Sequence, residues 1–123
     1  MKYLILIYSN PLSRQMWEAF SPDERAEGFK YYAALTEDLT ASGELVVSEA
    51  LADISTTKRV HVRDGQTLTT DGPFAEAKEH LMGIYLVQCD SLDRAIAVAA
   101  RVPEAEYGLV EVRPVMNLSE LDM

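Results

Sequence analysis

Hydrophobic residues recur along most of the chain at one of two spacings, and each spacing predicts an element. Lys2 to Tyr8 is apolar on both sides, with Tyr3, Ile5 and Ile7 pointing one way and Leu4, Leu6 and Tyr8 the other, which predicts a strand that needs cover on both faces. Asn10 to Phe20 shows neither period and reads as irregular, with Trp17 and Phe20 as packing anchors. A helix then opens with Ser21 as N-cap, Pro22 in its first position and Glu24 completing a capping box, and it ends ahead of Gly43, where a left-handed cap is wanted. Steps of about 100° per residue place Phe29, Tyr32, Leu35, Thr36 and Leu39 on the buried arc, with Asp23, Glu27, Lys30 and Glu37 opposite.

Downstream, the period shortens. Glu44 to Ala50 reads as a strand leading into a loop at Asp53 to Thr56. Thr57–Arg63 and Gln66–Thr70, joined by Asp64-Gly65, read as a hairpin with a type I′ turn. Gly83 to Cys89 is a further strand. Asp90 and Ser91 cap a second helix whose Leu92, Ala95, Ile96 and Ala99 face the sheet, and Pro103 stops it. Leu109 to Val115 is the last strand. Residues 1–115 therefore read as one domain and 116–123 as a tail. The order strand, helix, several strands, helix, strand is that of a ferredoxin-like α+β domain with a β-hairpin inserted in its middle. Two helices cover only one face of such a sheet, and a second copy of the chain is the simplest cover for the other, so a homodimer is expected.

Between the hairpin and the Gly83 strand lies the most unusual stretch, Thr69 to Gly83. Asp71-Gly72-Pro73-Phe74 must redirect the chain, because Gly72 can take backbone angles closed to other residues and Pro73 fixes its own φ and donates no hydrogen bond. Glu76, Lys78 and Glu79 then crowd acids and a base at the mouth of the next strand. A solvated turn with gatekeeper charges explains such a loop in general. Here the combination with Gly83-Ile84-Tyr85-Leu86-Val87, Asp90-Ser91-Leu92-Asp93 and Val110-Glu111-Val112-Arg113-Pro114-Val115 resembles the DGPF branch of the YCII-related domain family, over nearly the whole chain. The resemblance implies the same ferredoxin-like fold, with two subunits forming a dimeric α+β barrel. It also implies a His-Asp catalytic pair at two positions that here hold Tyr32 and Val102. A phenol with an ordinary pKa near 10 is a poor base at neutral pH and valine cannot orient it, so that dyad chemistry does not carry over.

Composition narrows the picture further. With 123 residues, 48% of them hydrophobic, the chain suits a single compact core. Twenty acids against eleven bases give a net charge of −9, which disfavours nucleic acid and anionic membranes as partners. The apolar start is too short for a signal peptide or a membrane span, and a lone Cys89 builds no disulfide framework, so a cytoplasmic location is expected. No phosphate loop, dinucleotide turn or nucleophile elbow is present, and His61, His80 and Cys89 show no metal-ligand spacing. Neither cofactor nor metal is expected.

The chemistry that remains is a constellation of Tyr32, Asp71, Lys78, Glu79 and Arg113 as ligand-binding candidates, with Asp71, Glu79 and Tyr32 as the catalytic ones. Arg59 and Arg63 project from one hairpin face, and Glu111 accompanies Arg113. Such groups suit proton transfer, a carboxylate clamp or an ion-pair network at a dimer seam. The leading reading is a small protein that binds an organic acid near the DGPF turn. The alternatives are a cofactor-independent lyase or isomerase, by analogy with halide-eliminating relatives, and a structural or regulatory dimer, since the resemblance implies a link to sigma-factor signalling. If Tyr32 and the turn share a pocket, Asp71 or Glu79 should be buried, its charge held by Lys78 or an arginine.

Overall fold

Strand β1 (Lys2–Ser9) lies at the centre of a four-stranded antiparallel sheet in the computed structural model, which describes residues 1–121. Helices α1 (Pro11–Ala19) and α2 (Pro22–Ala41) follow, then β2 (Leu45–Ala50), a hairpin of β3 (Lys58–Arg63) and β4 (Gln66–Asp71), β5 (His80–Gln88), α3 (Leu92–Ala99) and β6 (Val110–Pro114). The sheet order is β2-β5-β1-β6, and β3-β4 forms a separate two-stranded sheet. The architecture is mixed α+β, with an open sheet that closes into no barrel among the described residues. No helix among the described residues is long and apolar enough to cross a membrane.

Register explains why one side of β1 is core and the other is not. Tyr3, Ile5 and Ile7 lie opposite Val87, Tyr85 and Gly83 on β5 and opposite Pro114, Val112 and Val110 on β6. This face is buried under the helices, with Leu35 and Leu39 of α2 and Ala95, Val98 and Ala99 of α3 completing the core. The opposite face repeats as two rows, Val47-Leu86-Leu4-Arg113 and Glu49-Ile84-Leu6-Glu111. Its four central side chains are aliphatic and only partly covered.

Helix α2 begins and ends as its sequence dictates. Ser21 Oγ accepts from the Glu24 amide at 3.1 Å while Glu24 accepts from the Ser21 amide at 2.9 Å. At the far end Gly43 has φ +78°, the Gly43 amide reaches Thr40 O at 3.1 Å and the Glu44 amide reaches Leu39 O at 3.0 Å. Those two bonds make a Schellman motif and satisfy the last carbonyls. The hairpin turn is also as expected, with positive φ at both Asp64 (51°) and Gly65 (75°).

Three expectations need correction. Asn10 to Phe20 is not irregular: α1 forms because Asn10 Oδ1 accepts from the Ser13 amide and Ser13 Oγ accepts from the Asn10 amide, at 2.8 and 2.9 Å, with Pro11 in the first position. Phe29 is 58% exposed rather than core; it packs edge-on against Trp17, 5.3 Å between centroids, because α1 covers the start of α2 where the sheet does not reach. On α3 the inward stripe is Ala95, Val98 and Ala99, continued by Val102, while Leu92 and Ile96 are exposed. The stripe 95-98-99-102 obeys the same helical period as 92-95-96-99, so periodicity alone did not choose between them. Of the tail at 116–123, residues 116–120 are exposed and residues 122 and 123 lie outside the described residues.

Candidate functional site

The DGPF turn sits where the hairpin returns to the sheet. Gly72 has φ +87° and its amide donates to Thr57 O at 2.8 Å, so the turn is tied to the base of the hairpin. Asp71 closes the same base by pairing with Lys58 directly across the ladder. Its side chain is 83% exposed. Glu79 and Lys78 are exposed as well, so the expected burial of Asp71 or Glu79 is not found. Asp71 takes a hairpin lysine as partner, rather than Lys78 or an arginine, because antiparallel register places Lys58 opposite it.

Tyr32 lies elsewhere. Its hydroxyl donates to the Glu104 carboxylate, which the 3-10 turn Pro103–Tyr107 presents beneath α2. Burial of the phenol and the Glu104 carboxylate beside it drive the Tyr32 pKa far above its ordinary value. The group is a fixed hydrogen-bond donor, not a base. Val102, the other position implied by the resemblance, is fully buried in the core. Sequence reasoning missed Glu104; the usable signal was an acid directly after Pro103, where a one-turn helix can aim it back at α2.

Glu79 and Arg113 do come into one neighbourhood, around Tyr8 on the open face of the sheet. The Glu111 carboxylate beside the Tyr8 hydroxyl raises its pKa above the usual phenol value, partial burial and Glu79 push the same way, and Arg113 opposes them. Glu111 and Arg113 alternate with Val110 and Val112, which are partly buried against the core, so both face outward. The five sequence candidates are thus divided among three places: Asp71 and Lys78 at the turn, Glu79 and Arg113 toward the open face, and Tyr32 under the helices.

Two cavities flank the turn. The larger, about 660 Å³, is a groove along one hairpin face lined by Lys58, Arg59, His61, Arg63, Leu68 and Phe74, among others. Register puts Arg59, His61 and Arg63 on that face together, opposite Thr70, Leu68 and Gln66. The Arg59 guanidinium sits 4.5 Å from the Phe74 ring centroid, a contact that holds it in place and leaves its N–H edge available. Among the described residues neither Arg59 nor Arg63 joins an ion pair. The smaller cavity, about 290 Å³, is lined by Leu51, Ile54, Ala77, Glu79, His80 and Leu81. Thr57, Pro73 and Phe74 line both, so the turn forms a partition between them. No three His, Cys, Asp or Glu side chains among the described residues are grouped as metal ligands.

An open antiparallel sheet with helices on one face and a hairpin carrying Lys58, Arg59 and Arg63 on a strongly acidic chain defines a small α+β protein. The chain belongs to the YCII-related domain family, whose model matches residues 1–119. It is 32% identical over 116 residues to an uncharacterized protein of Rhizobium meliloti (strain 1021), covering 93% of this chain and 91% of that one.

Proposed function

We propose that this protein binds a small organic acid in the hairpin groove beside the DGPF turn. The observation that carries the reading is charge concentration: a chain with net charge −9 presents Arg59, Arg63 and Lys58 around one groove, with the aromatic Phe74 as its wall. Unpaired guanidinium groups are matched by a carboxylate, which accepts two parallel N–H bonds, and an aromatic wall suits an unsaturated or aryl body. Asp71 pairs with Lys58 at the hairpin base, Glu79 lines the smaller cavity beyond the turn, and Lys78, Arg113 and Tyr32 stand outside the groove. The motifs around the turn support reading the chain as a member of the DGPF branch of its family.

The unit that performs this binding is residues 1–115, a ferredoxin-like domain that pairs as a homodimer. The strand order β2-β5-β1-β6 with helices on one face supports the ferredoxin-like reading. The aliphatic centre Leu4, Leu6, Ile84 and Leu86 on the uncovered face supports pairing. Titration with benzoate at low ionic strength tests the binding. Arg59→Ala should weaken it by about 10-fold or more, since a charge-assisted bond is lost, whereas Lys30→Ala on α2 should leave it unchanged. No saturable binding by a panel of small carboxylates would leave the dimer as scaffold only.

A further inference from the structure

The open face of the four-stranded sheet is charged in both halves, and the halves differ in sign. Register lays it out in successive rows across the strands: Gln88-Lys2, then Val47-Leu86-Leu4-Arg113, then Glu49-Ile84-Leu6-Glu111, then Leu81-Tyr8. Lys2 and Arg113 make the first half basic. Glu49 and Glu111 make the second acidic, and Glu79 adds to it, since its charge and that of Glu111 both act on Tyr8. Leu4, Leu6, Ile84 and Leu86, where the halves meet, are aliphatic and only partly covered. None of Lys2, Arg113, Glu49, Glu79 and Glu111 joins an ion pair among the described residues.

Such a face is complementary to itself in one orientation. Two copies related by a two-fold axis present the same patch to each other, so the direction of the axis decides which residues meet. Sheets stacked face to face with their strands nearly aligned leave two directions. An axis parallel to the strands keeps each row over its own kind and sets Glu49 against Glu111 of the partner subunit, like charge on like. An axis perpendicular to the strands, passing between the second and third rows, exchanges the halves. Arg113 then lies over Glu111 of the partner subunit, and Lys2 over the acidic end around Tyr8 of the partner subunit. Leu4 and Leu86 lie over Leu6 and Ile84 of the partner subunit. Glu49, on the edge strand β2, falls beside Val47 of the partner subunit at the solvent-exposed rim. Opposite charges meet and like charges do not. The aliphatic centre supplies the contact, and the charges choose between two packings that bury it equally well.

We propose that a second copy of the chain docks on this face with its strands reversed, about a two-fold axis perpendicular to them, and that Arg113 and Glu111 form the reciprocal ion pair that sets this orientation. This rests on the pairing reading above and adds to it the axis and the residues that select it.

Charge reversal divided between two chains tests it, read by sedimentation velocity at micromolar concentration. Arg113→Glu places like charges across the axis, and so does Glu111→Arg, so each variant alone should dimerise at least about tenfold more weakly than the wild type. Mixed in equal amounts, the two variants should pair with each other within about threefold of the wild-type affinity, because every reversed position then meets its opposite. Chains that had lost their fold would not recover on mixing. Lys30→Glu, on α2 behind the sheet, should leave the affinity unchanged. A wild-type dimer that neither reversal weakens, one that Glu111→Arg tightens as the parallel axis requires through Glu49, or a mixture that fails to recover overturns this inference and leaves the pairing standing. A comparable loss in Lys30→Glu assigns the effect to net charge and overturns it too. A wild type that is monomeric at these concentrations overturns the pairing and this inference together.

Discussion

Replacing Glu44 by glutamine tests the electrostatic joint that ties the end of α2 to the start of α3. Glu44 follows the Gly43 cap, and its carboxylate accepts from Arg94 Nε at 2.9 Å and Nη2 at 2.7 Å, and from Ser42 Oγ at 2.7 Å. The Arg94 bonds first, then the Ser42 bond, hold the Glu44 pKa down to about 2 from the usual 4.5. Each unit of difference is worth about 1.36 kcal/mol, so the ceiling is about 3.4 kcal/mol. The Glu44 side chain is 16% exposed and that of Arg94 46%, and solvent screening of a pair this open brings the expected contribution to on the order of 1 kcal/mol. Because the folded pKa is depressed, that stability is fully present above about pH 4.5 and is lost as the pH falls from there toward 2.

Urea denaturation of wild type and Glu44→Gln at a series of pH values reads the difference directly, since titrations common to both proteins cancel. The variant should be less stable by about 1 kcal/mol at pH 7, a shift of roughly 3–6 °C in Tm, and the two curves should converge as the pH approaches 2. A gap that does not change between pH 7 and 2, or one that widens on acidification, would refute the reasoning.

Three further outcomes follow from the same geometry. Gly72→Val should cost about 1–3 kcal/mol, because φ +87° is strained for a branched side chain even though nothing lies within 4 Å of a Cβ there; Glu76→Ala should cost under about 0.5 kcal/mol, and equal melting shifts would show the turn misread. Tyr32→Phe should destabilise by about 1–2 kcal/mol through loss of the Glu104 bond, and unchanged stability by chemical denaturation would contradict its role as a latch. Leu6→Glu, which adds a charge to the uncovered sheet face between Ile84 and Glu111, should convert a dimer to a monomer in sedimentation at micromolar concentration; a wild type already monomeric there would remove the pairing.

What could be read from the residues depended on whether the signal was local. Ser21-Pro22-Asp23-Glu24, Asp64-Gly65 and Gly43 each specify their own backbone geometry within a few residues, and the structure places cap, turn and helix end there. Asn10-Pro11-Leu12-Ser13 is a local signal of the same kind, but the short helix behind it buries no residue, so no apolar stripe accompanies the cap. The candidate site was less legible, since its groups meet only through register and tertiary packing. Lys58 faces Asp71 because of hairpin pairing, and Tyr32 meets Glu104 across 72 positions. Arg59 and Arg63 read as the polar face of a strand, and only the placement of Phe74 against Arg59 makes that face the side of a groove.

Whether the hairpin groove receives an organic carboxylate is decided by a 1H–15N correlation titration of the labelled protein with benzoate. Saturable shifts should be confined to Lys58–Arg63, Leu68–Thr70 and Gly72–Phe74, with side-chain Nε–H signals of Arg59 and Arg63 moving at the same midpoint and the whole response weakened by added salt. Shifts clustered instead on the open sheet face around Tyr8 and Arg113, or no saturable shift in the hairpin, would contradict it.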